Sequence, residues 1–319
     1  MNAINPCKNV EEIDVAILTE ARYIESDETN WYISQIIYEE SLIISRLLER
    51  GVKCRRVAWD NPQFDWSKCK LALFRTTWDY YEKLPEFLDW LNKISEKIEL
   101  INSRETILWN LNKKYLSDLK NQGISIVPTF FFSKGESVSP KELFSKADSE
   151  EIVIKPVVSG TAKDTYRINS NDRAALTSTV MDLFQKQDMM LQPFQKSILN
   201  DGEISLVVIG GKCTHAVKKI PKSGDFRVQD DYGGEVSPYF PDDEERRFAE
   251  SAINNCGYSV LYGRVDVVRS NRGKLAIMEL ELIEPELFFR FYTPSAKILA
   301  DLIVDRHLSI RQAKPSDEN

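Results

Sequence analysis

Two histidines, His215 and His307, are all that the 319-residue chain contains. That leaves little material for a His-based zinc site or a Ser-His-Asp triad, and His215 reads as a structural strand residue rather than a catalyst. No nucleophile elbow and no GxxxxGK[ST] phosphate loop occurs. The five cysteines (Cys7, Cys54, Cys69, Cys213, Cys256) are scattered and form no CxxC pair. They are expected to be reduced packing residues, which points to a cytoplasmic protein. No apolar run reaches the ~18 residues of a membrane span. The N-terminal stretch MNAINPCKNVEEID lacks the apolar region of a secretory signal. The formal net charge of −7 leaves no basic surplus of the kind that nucleic-acid binding uses. Neither a membrane nor a nucleic acid is expected as a partner.

What is present is a globular balance, 42% apolar and 29% charged residues, with length for two or three domains. Strand-like DVAILTE (14–20), VKCRRVAW (52–59), KLALFRTTW (70–78) and IELIN (98–102) alternate with helical patterns at 30–51 and 84–97. This predicts an open, mostly parallel α/β domain over 1–102. Residues 103–190 read as a small α+β unit, with two short helices (103–123), strands in VPTFFF, EEIVIKP and MMLQPF, a helix over 172–187, and a loop, VVSGTAKDTYRI. Residues 191–308 read as a second α+β unit. It opens with a hairpin turning at Gly210-Gly211, passes through the polar loop KSGDFRVQDDYGGE, and has a helix started by Asp242 and Asp243. Two strands around an Asn-Arg-Gly turn follow, and residues 309–319 read as a tail.

The stretch IMELELIEPELFF (277–289) places four glutamates in an apolar run. In a strand Glu279 and Glu281 share one face, and Asp266 in the preceding strand can join them. Two carboxylates ~6.6 Å apart repel by roughly 0.6 kcal/mol in water and roughly 2.5 kcal/mol at an effective dielectric near 20. A cleft holding all three needs a cation, and Mg²⁺ suits hard oxygen ligands. The alternative is a solvated acidic face on an edge strand. Lys155 ends an Ile-Val-Ile run beside the small-residue loop SGTAKD, including Ser159 and Gly160. Exposed backbone N–H groups beside a lysine suit phosphate, although a lysine at a strand end is also ordinary. Pro193, in MLQPF, frees backbone groups of Gln192 and Phe194 to meet a flat ring, or simply makes a turn. Glu203 has the character of a ribose-binding acid. Lys218, Lys219, Arg227 and Arg264 suit phosphate or carboxylate recognition, or form a charged strand face.

In this order the pieces resemble the ATP-grasp superfamily over roughly residues 110–290. AVKKIPKSGDFRVQDDYGGEVSP is similar to a stretch of bacterial glutathione synthetases and of the ligase that adds glutamate to a ribosomal protein. GRVDVVRSNRGKLAIMELE resembles the superfamily's paired metal strands. RTTWDYYEKL, WNLNKKYLSDL and ELELIEPELFF look most like the branch of the cycloserine-forming cyclo-ligase. The resemblance implies an N-terminal α/β domain followed by two α+β subdomains that sandwich ATP. It implies Lys113 (with Lys114 as rival) and Lys155 as nucleotide lysines, the Gln192–Phe194 backbone as adenine hinge, Glu203 on the ribose and Lys218 near the γ-phosphate. It further implies Asp266, Glu279 and Glu281 as ligands of Mg²⁺, for which Mn²⁺ can substitute, and Arg264 as the arginine steadying the reacting groups. Two departures stand out. Glu281 occupies the place of the usual Asn, and Gln192 that of the hinge acid, which leaves recognition of the adenine amino group to backbone.

The implied reaction is activation of a carboxylate by ATP to an acyl phosphate, then attack by an amine, intermolecular or ring-closing, with release of ADP and phosphate. Such chemistry needs no protein nucleophile. The expected partners are a small carboxylate and an amine, amino-acid-like or peptide, with a homodimer as a family-level expectation. A phosphotransferase and a non-catalytic ATP-binding regulator are the alternatives. Arg75, Trp78, Asp79 and Tyr80 follow a strand end, where open α/β sheets bind ligands. Arg75 is assigned to a substrate carboxylate, with a structural salt bridge as its rival. Arg227, Gly233 and Gly234 are assigned to a loop over the acceptor.

Overall fold

The computed structural model describes residues 12–25, 29–171, 178–228 and 233–308. The chain forms two compact units, one of Met1–Arg104 with Ala296–Asn319 and one of Glu105–Ser295. In the first, β1 (Ile13–Thr19), β2 (Cys54–Ala58), β3 (Cys69–Thr76) and β4 (Glu99–Ile101) form a sheet of order β2-β1-β3-β4. Every pairing is parallel, as the strand–helix alternation predicts. Helix α1 (Trp31–Glu49) starts where the Asn30 side chain accepts the N–H groups of Tyr32 and Ile33. Helix α2 (Leu84–Ser95) buries Phe87, Leu91 and Ile94.

The second unit holds two sheets. Helices α3 (Arg104–Asn110) and α4 (Tyr115–Asn121) precede β5 (Phe130–Phe132), α5 (Pro140–Ala147), β6 (Glu151–Pro156), β7 (Tyr166–Asn169), α6 (Ser178–Lys186) and β8 (Met189–Pro193). Those strands make an antiparallel sheet of order β5-β8-β6-β7. After the short α7 (Ser197–Asn200) come β9 (Glu203–Ile209), β10 (Lys212–Ile220), β11 (Glu235–Tyr239), α8 (Asp243–Asn254), β12 (Tyr262–Arg269) and β13 (Leu275–Glu281). They form a sheet of order β11-β10-β9-β12-β13. Gly210 and Gly211 both have positive φ, 61° and 83°, the backbone that a two-residue hairpin turn requires. Asp242 caps α8 in a reciprocal pair with Glu245.

Alternation along the strands sorts the larger sheet into two faces. Ile204, Leu206, Val208, Ala216, Val265 and Leu280 pack with Ala249 and Ile253 of α8 and with Leu116 and Leu119 of α4. The opposite face carries Glu203, Ser205, Lys219, Arg264, Asp266, Glu279 and Glu281, by register across β9, β10, β12 and β13.

Several expectations change. VVSGTAKDTYRI is not all loop, since β7 forms in it. The strand β11 follows the polar loop, carrying Pro238 on a sheet edge, where no donor is needed. Helix α6 covers Ser178–Lys186 of the expected 172–187, and residues 172–177 lie outside the described set. Helices α5 and α9 (Pro294–Ile303) carry no expectation. Helices α3 and α4, expected to begin the small central unit, pack with the five-stranded sheet. An expected boundary at 190/191 falls inside β8. Residues from Ala296 on group with the first unit rather than with 191–295, because Arg46 and Arg50 of α1 pair with Asp301 at 2.9 and 2.6 Å. Among the described residues no helix is long and apolar enough to cross a membrane.

Candidate active site

The charged face of the five-stranded sheet is a lattice of opposite charges. Asp266 and Glu279 are register partners, as are Arg264 and Glu281. Arg264 grips Asp266 with Nε and Nη2, both at 2.9 Å, and reaches Glu281 Oε1 with Nη2 at 2.5 Å. Ser205, opposite Asp266 on β9, donates its hydroxyl to Asp266 Oδ1. Lys219 sits 2.6 Å from Glu203 and 3.6 Å from Asp266. From the α3–α4 turn Lys113 reaches Glu279 Oε1 at 3.0 Å, and from the smaller sheet Lys155 reaches Glu279 Oε2 at 3.5 Å. Lys113 also donates to the Ser159 carbonyl at 2.8 Å.

The electrostatics follow from these contacts. Burial raises the Asp266 carboxyl, but Arg264 and Lys219 outweigh it and hold it below the usual range. Burial raises Glu279 as well, yet Lys113 and Lys155 bring it down to about 2. At Glu281 burial wins, with Asp266 and Glu279 adding to it against Arg264, and the carboxyl rises to about 7. Glu203 is raised by burial. Burial works against the charge of Lys219, but Asp266 and Glu203 hold it above the ordinary lysine range.

Two sequence assignments change. Lys218, placed near the γ-phosphate by resemblance, points to the other face, its ammonium 5.0 Å from the Tyr239 ring centre. Lys219 is the lysine among the acids, since adjacent strand residues face opposite ways. Lys114, the rival of Lys113, pairs with Asp188 at 2.7 Å. A solvated edge does not describe Asp266, only 3% exposed. Strand β13 does end the sheet, but its outer edge is covered. The Asn110 amide bonds Leu280 O and Leu282 N, the Tyr115 hydroxyl accepts Leu280 N–H, and Ile126 bridges Ile277. Sequence reading missed Asn110 and Ser205; the spacing of Ser205 two residues after Glu203 was a usable signal.

On the smaller sheet Lys155 faces Met190, and Val153 faces Gln192, so Lys155 and Gln192 share a face. Gln192 is 2% exposed; its Nε2 donates to Thr129 Oγ1 at 2.9 Å, and its Oε1 has no hydrogen-bond partner among the described residues. The Phe194 ring is buried under the Arg167 guanidinium, 3.8 Å away, and its backbone is engaged, the N–H donating to Glu151 O at 2.9 Å and the carbonyl accepting from Asn271 Nδ2 at 2.8 Å. Ser159 and Gly160 open a loop in which Thr161, Ala162 and Asp164 have φ of 48°, 53° and 54°. Arg227 pairs with Asp225 at 2.7 Å, Gly233 has φ +81°, and Gly234 leads into β11. In the first unit Arg75 and Tyr80 are buried, and Asp79 accepts from Trp59 Nε1 and pairs with Lys83. Trp78 lies against Tyr23 and Tyr32.

The donor set suits Mg²⁺, since Asp266, Glu279 and Glu281 offer hard oxygens on one face. As they stand, each is held by a cation, and among the described residues no three acidic, histidine or cysteine side chains are gathered tightly enough to hold a metal. A triphosphate fits the complementary half, for it can take the lysines. The orphaned Gln192 oxygen is a spare acceptor near the end of β8.

The profile of the RimK-like ATP-grasp domain matches residues 115–284, and that of the N-terminal domain of D-cycloserine synthetase DcsG matches residues 15–102. Cycloserine biosynthesis protein DcsG of Streptomyces lavendulae is 26% identical over 277 residues, 80% of this chain and 89% of that protein. A probable alpha-L-glutamate ligase of Aliivibrio salmonicida is 31% identical over 220 residues, 66% of this chain and 65% of its own length. The crystal structure of D-cycloserine synthetase DcsG superposes with a TM-score of 0.77 at 24% identity, covering 92% of this chain and 99% of that one. The D-alanine–D-alanine ligase of Bacillus anthracis, complexed with ATP, gives 0.62 at 15% identity, covering 94% and 99%.

Proposed function

Because the chain belongs to the RimK-like ATP-grasp family, we propose that it is an ATP-dependent ligase that forms a C–N bond between a small carboxylate and an amine, intermolecularly or within one molecule. The observation that carries this is the meeting of Lys113 and Lys155 with Glu279, beside Asp266, Glu281 and Arg264. Phosphate cations, metal-type carboxylates and a carboxylate-binding arginine stand on one face.

Lys113, Lys155 and Lys219 hold the triphosphate and neutralise the charge that builds on the moving phosphoryl group. The Gln192–Phe194 backbone borders adenine, and Gln192 Oε1 accepts from its amino group, adding a side chain to recognition otherwise left to backbone. Glu203 meets the ribose. Asp266, Glu279 and Glu281 would hold Mg²⁺, which when bound offsets phosphate charge and polarises the transferred group. Arg264 steadies the substrate carboxylate while its oxygen attacks the γ-phosphorus and ADP leaves. The amine then adds to the acyl phosphate, and the tetrahedral adduct expels phosphate. Arg75, Trp78, Asp79 and Tyr80 are assigned to the substrate, as are Arg227, Gly233 and Gly234. The relatives' names make amino-acid-like substrates the first to try.

The test is a screen of amino acids, their O-substituted derivatives and dipeptides for substrate-dependent release of phosphate with Mg-ATP. The ligase reading expects equal amounts of ADP, free phosphate and an amide or ring product. ADP without free phosphate would instead mark a phosphotransferase.

A further inference from the structure

Arg264 uses Nε and Nη2 on Asp266 and Glu281, and donates from Nη1 to the Glu286 carbonyl at 3.2 Å. Its guanidinium carbon lies 5.6 Å from the centre of the Phe288 ring. The turn Glu286–Phe288 is therefore a second support for this arginine, beside the acids. Phe288 holds φ 50° and ψ 36°, a left-handed conformation that crowds a residue bearing a Cβ and persists only where its surroundings enforce it.

A buried histidine on β10 supplies such a constraint. His215 Nε2 lies 2.9 Å from the Leu287 carbonyl, an acceptor that only an N–H can satisfy, so Nε2 carries the proton. Nδ1 is then an acceptor, with Thr214 Oγ1 at 2.9 Å and Ser295 Oγ at 3.2 Å. Ser295 donates instead to Tyr292 O at 2.7 Å, while the other acceptor near Thr214, Val207 O, is 3.3 Å away. Thr214 is thus the hydroxyl that donates to Nδ1, and the imidazole is neutral with one tautomer specified. We propose that His215 is a positioning residue for Arg264: by holding the Leu287 carbonyl it fixes the turn against which the guanidinium is set. Its consequence for turnover rests on the reading of Arg264 as the arginine of the substrate carboxylate. Without the Nε2–H a buried carbonyl loses its donor, and the strained turn loses its tie. Arg264 would keep Asp266 and Glu281 but not a fixed tilt against them, and small misplacements of a group at the reacting atoms are costly in rate.

The chain has two histidines, so the ¹⁵N imidazole signals of the full-length protein can be told apart with His307→Gln. At neutral pH and without ligand, His215 is expected as the Nε2–H tautomer; an Nδ1–H tautomer overturns the inference before any His215 variant is made. The Arg264 Nε–H signal, identified by its absence in Arg264→Lys, is the second readout. In His215→Phe, which keeps an aromatic ring and removes the donor, that signal should shift or broaden. In His215→Gln, whose amide puts an N–H where Nε2 lies, it should stay at its wild-type position. No change in His215→Phe, or an equal change in both variants, overturns the inference. Should His215→Phe fail to fold, His215→Gln decides alone, and a displaced Arg264 signal there overturns it. Turnover is the third readout, with Mg-ATP and the amino acid that gives most phosphate release in the screen. His215→Phe should lose kcat by on the order of tenfold to 10²-fold, with Mg-ATP affinity within about twofold of the wild type, and His215→Gln should recover most of the loss. Parallel losses of kcat and nucleotide affinity would mark a general structural role and overturn the inference. A screen that yields no substrate counts against the ligase reading instead, since the Arg264 signal is read without substrate and judges His215 by itself.

Discussion

Lys218 and Lys219 are neighbours in the chain and opposites in the sheet. One lies over Tyr239; the other bonds Glu203 and approaches Asp266. A charge-assisted bond is worth roughly 1.5–3 kcal/mol. Lys219→Met is therefore expected to weaken Mg-ATP binding by roughly tenfold to a hundredfold, whereas Lys218→Met stays within about twofold, inside the range of ordinary surface changes. Nucleotide affinity of the two variants, measured side by side, decides it, and the reverse ranking would return Lys218 to the site. Resemblance alone pointed to Lys218. The pairing of Lys219 with Glu203 across β10 and β9 needed the bulged register near His215, which residue types do not encode. Asp266, Glu279 and Glu281, by contrast, were legible, because period-two alternation needs only the sequence. The pairing of each acid with a particular cation was not, since Lys113 and Lys155 arrive from distant segments.

At the scale of elements, regular pieces were legible and edges were not. Asn30, Asp242 and the Gly210-Gly211 turn announce their helices and hairpin through local backbone chemistry. Strands β7 and β11 are sheet edges whose polar residues, with Pro238 in β11, give no strand signal. The cover over β13 depends on Asn110 and Tyr115, 170 and 165 residues away from Leu280, a distance that no local pattern spans. The loop after Lys155 stores strain in left-handed residues that are not glycine. Each costs roughly 1–2 kcal/mol. Ala162→Gly should relieve about 1 kcal/mol of it, raising the urea midpoint. A fall in that midpoint would show that the Ala162 side chain contributes more than its backbone costs.

On the scale of the molecule, acid sensitivity has an identifiable source in His215. Its ring bonds Leu287 O through Nε2 and meets Thr214 and Ser295 through Nδ1. Burial outweighs the backbone acceptors and depresses the imidazole to about 4. Below its ordinary value near 6.5 the unfolded chain takes up a proton that the fold refuses. The stabilisation is thus complete above about 6.5 and is lost as pH falls from there toward 4, roughly 2–3 kcal/mol by pH 4.5. Urea unfolding at pH 7 and 4.5 should show a smaller acid loss in His215→Gln than in the wild type. Equal losses would assign the acid limb to carboxylates alone.

The overall class, an open parallel α/β sheet followed by mixed α+β units, was legible from the order of periodic segments. The return of the last residues to the first unit was not. Arg46, Arg50 and Glu99 receive Asp301, Asp305 and His307 from the far side of a 191-residue excursion, Glu105–Ser295. During synthesis the first sheet leaves the ribosome early, yet it lacks helix α9 until that whole excursion has been translated. A premature stop just after residue 295 would spare every acid and lysine of the nucleotide face and strike instead at the portion of the protein that was made first.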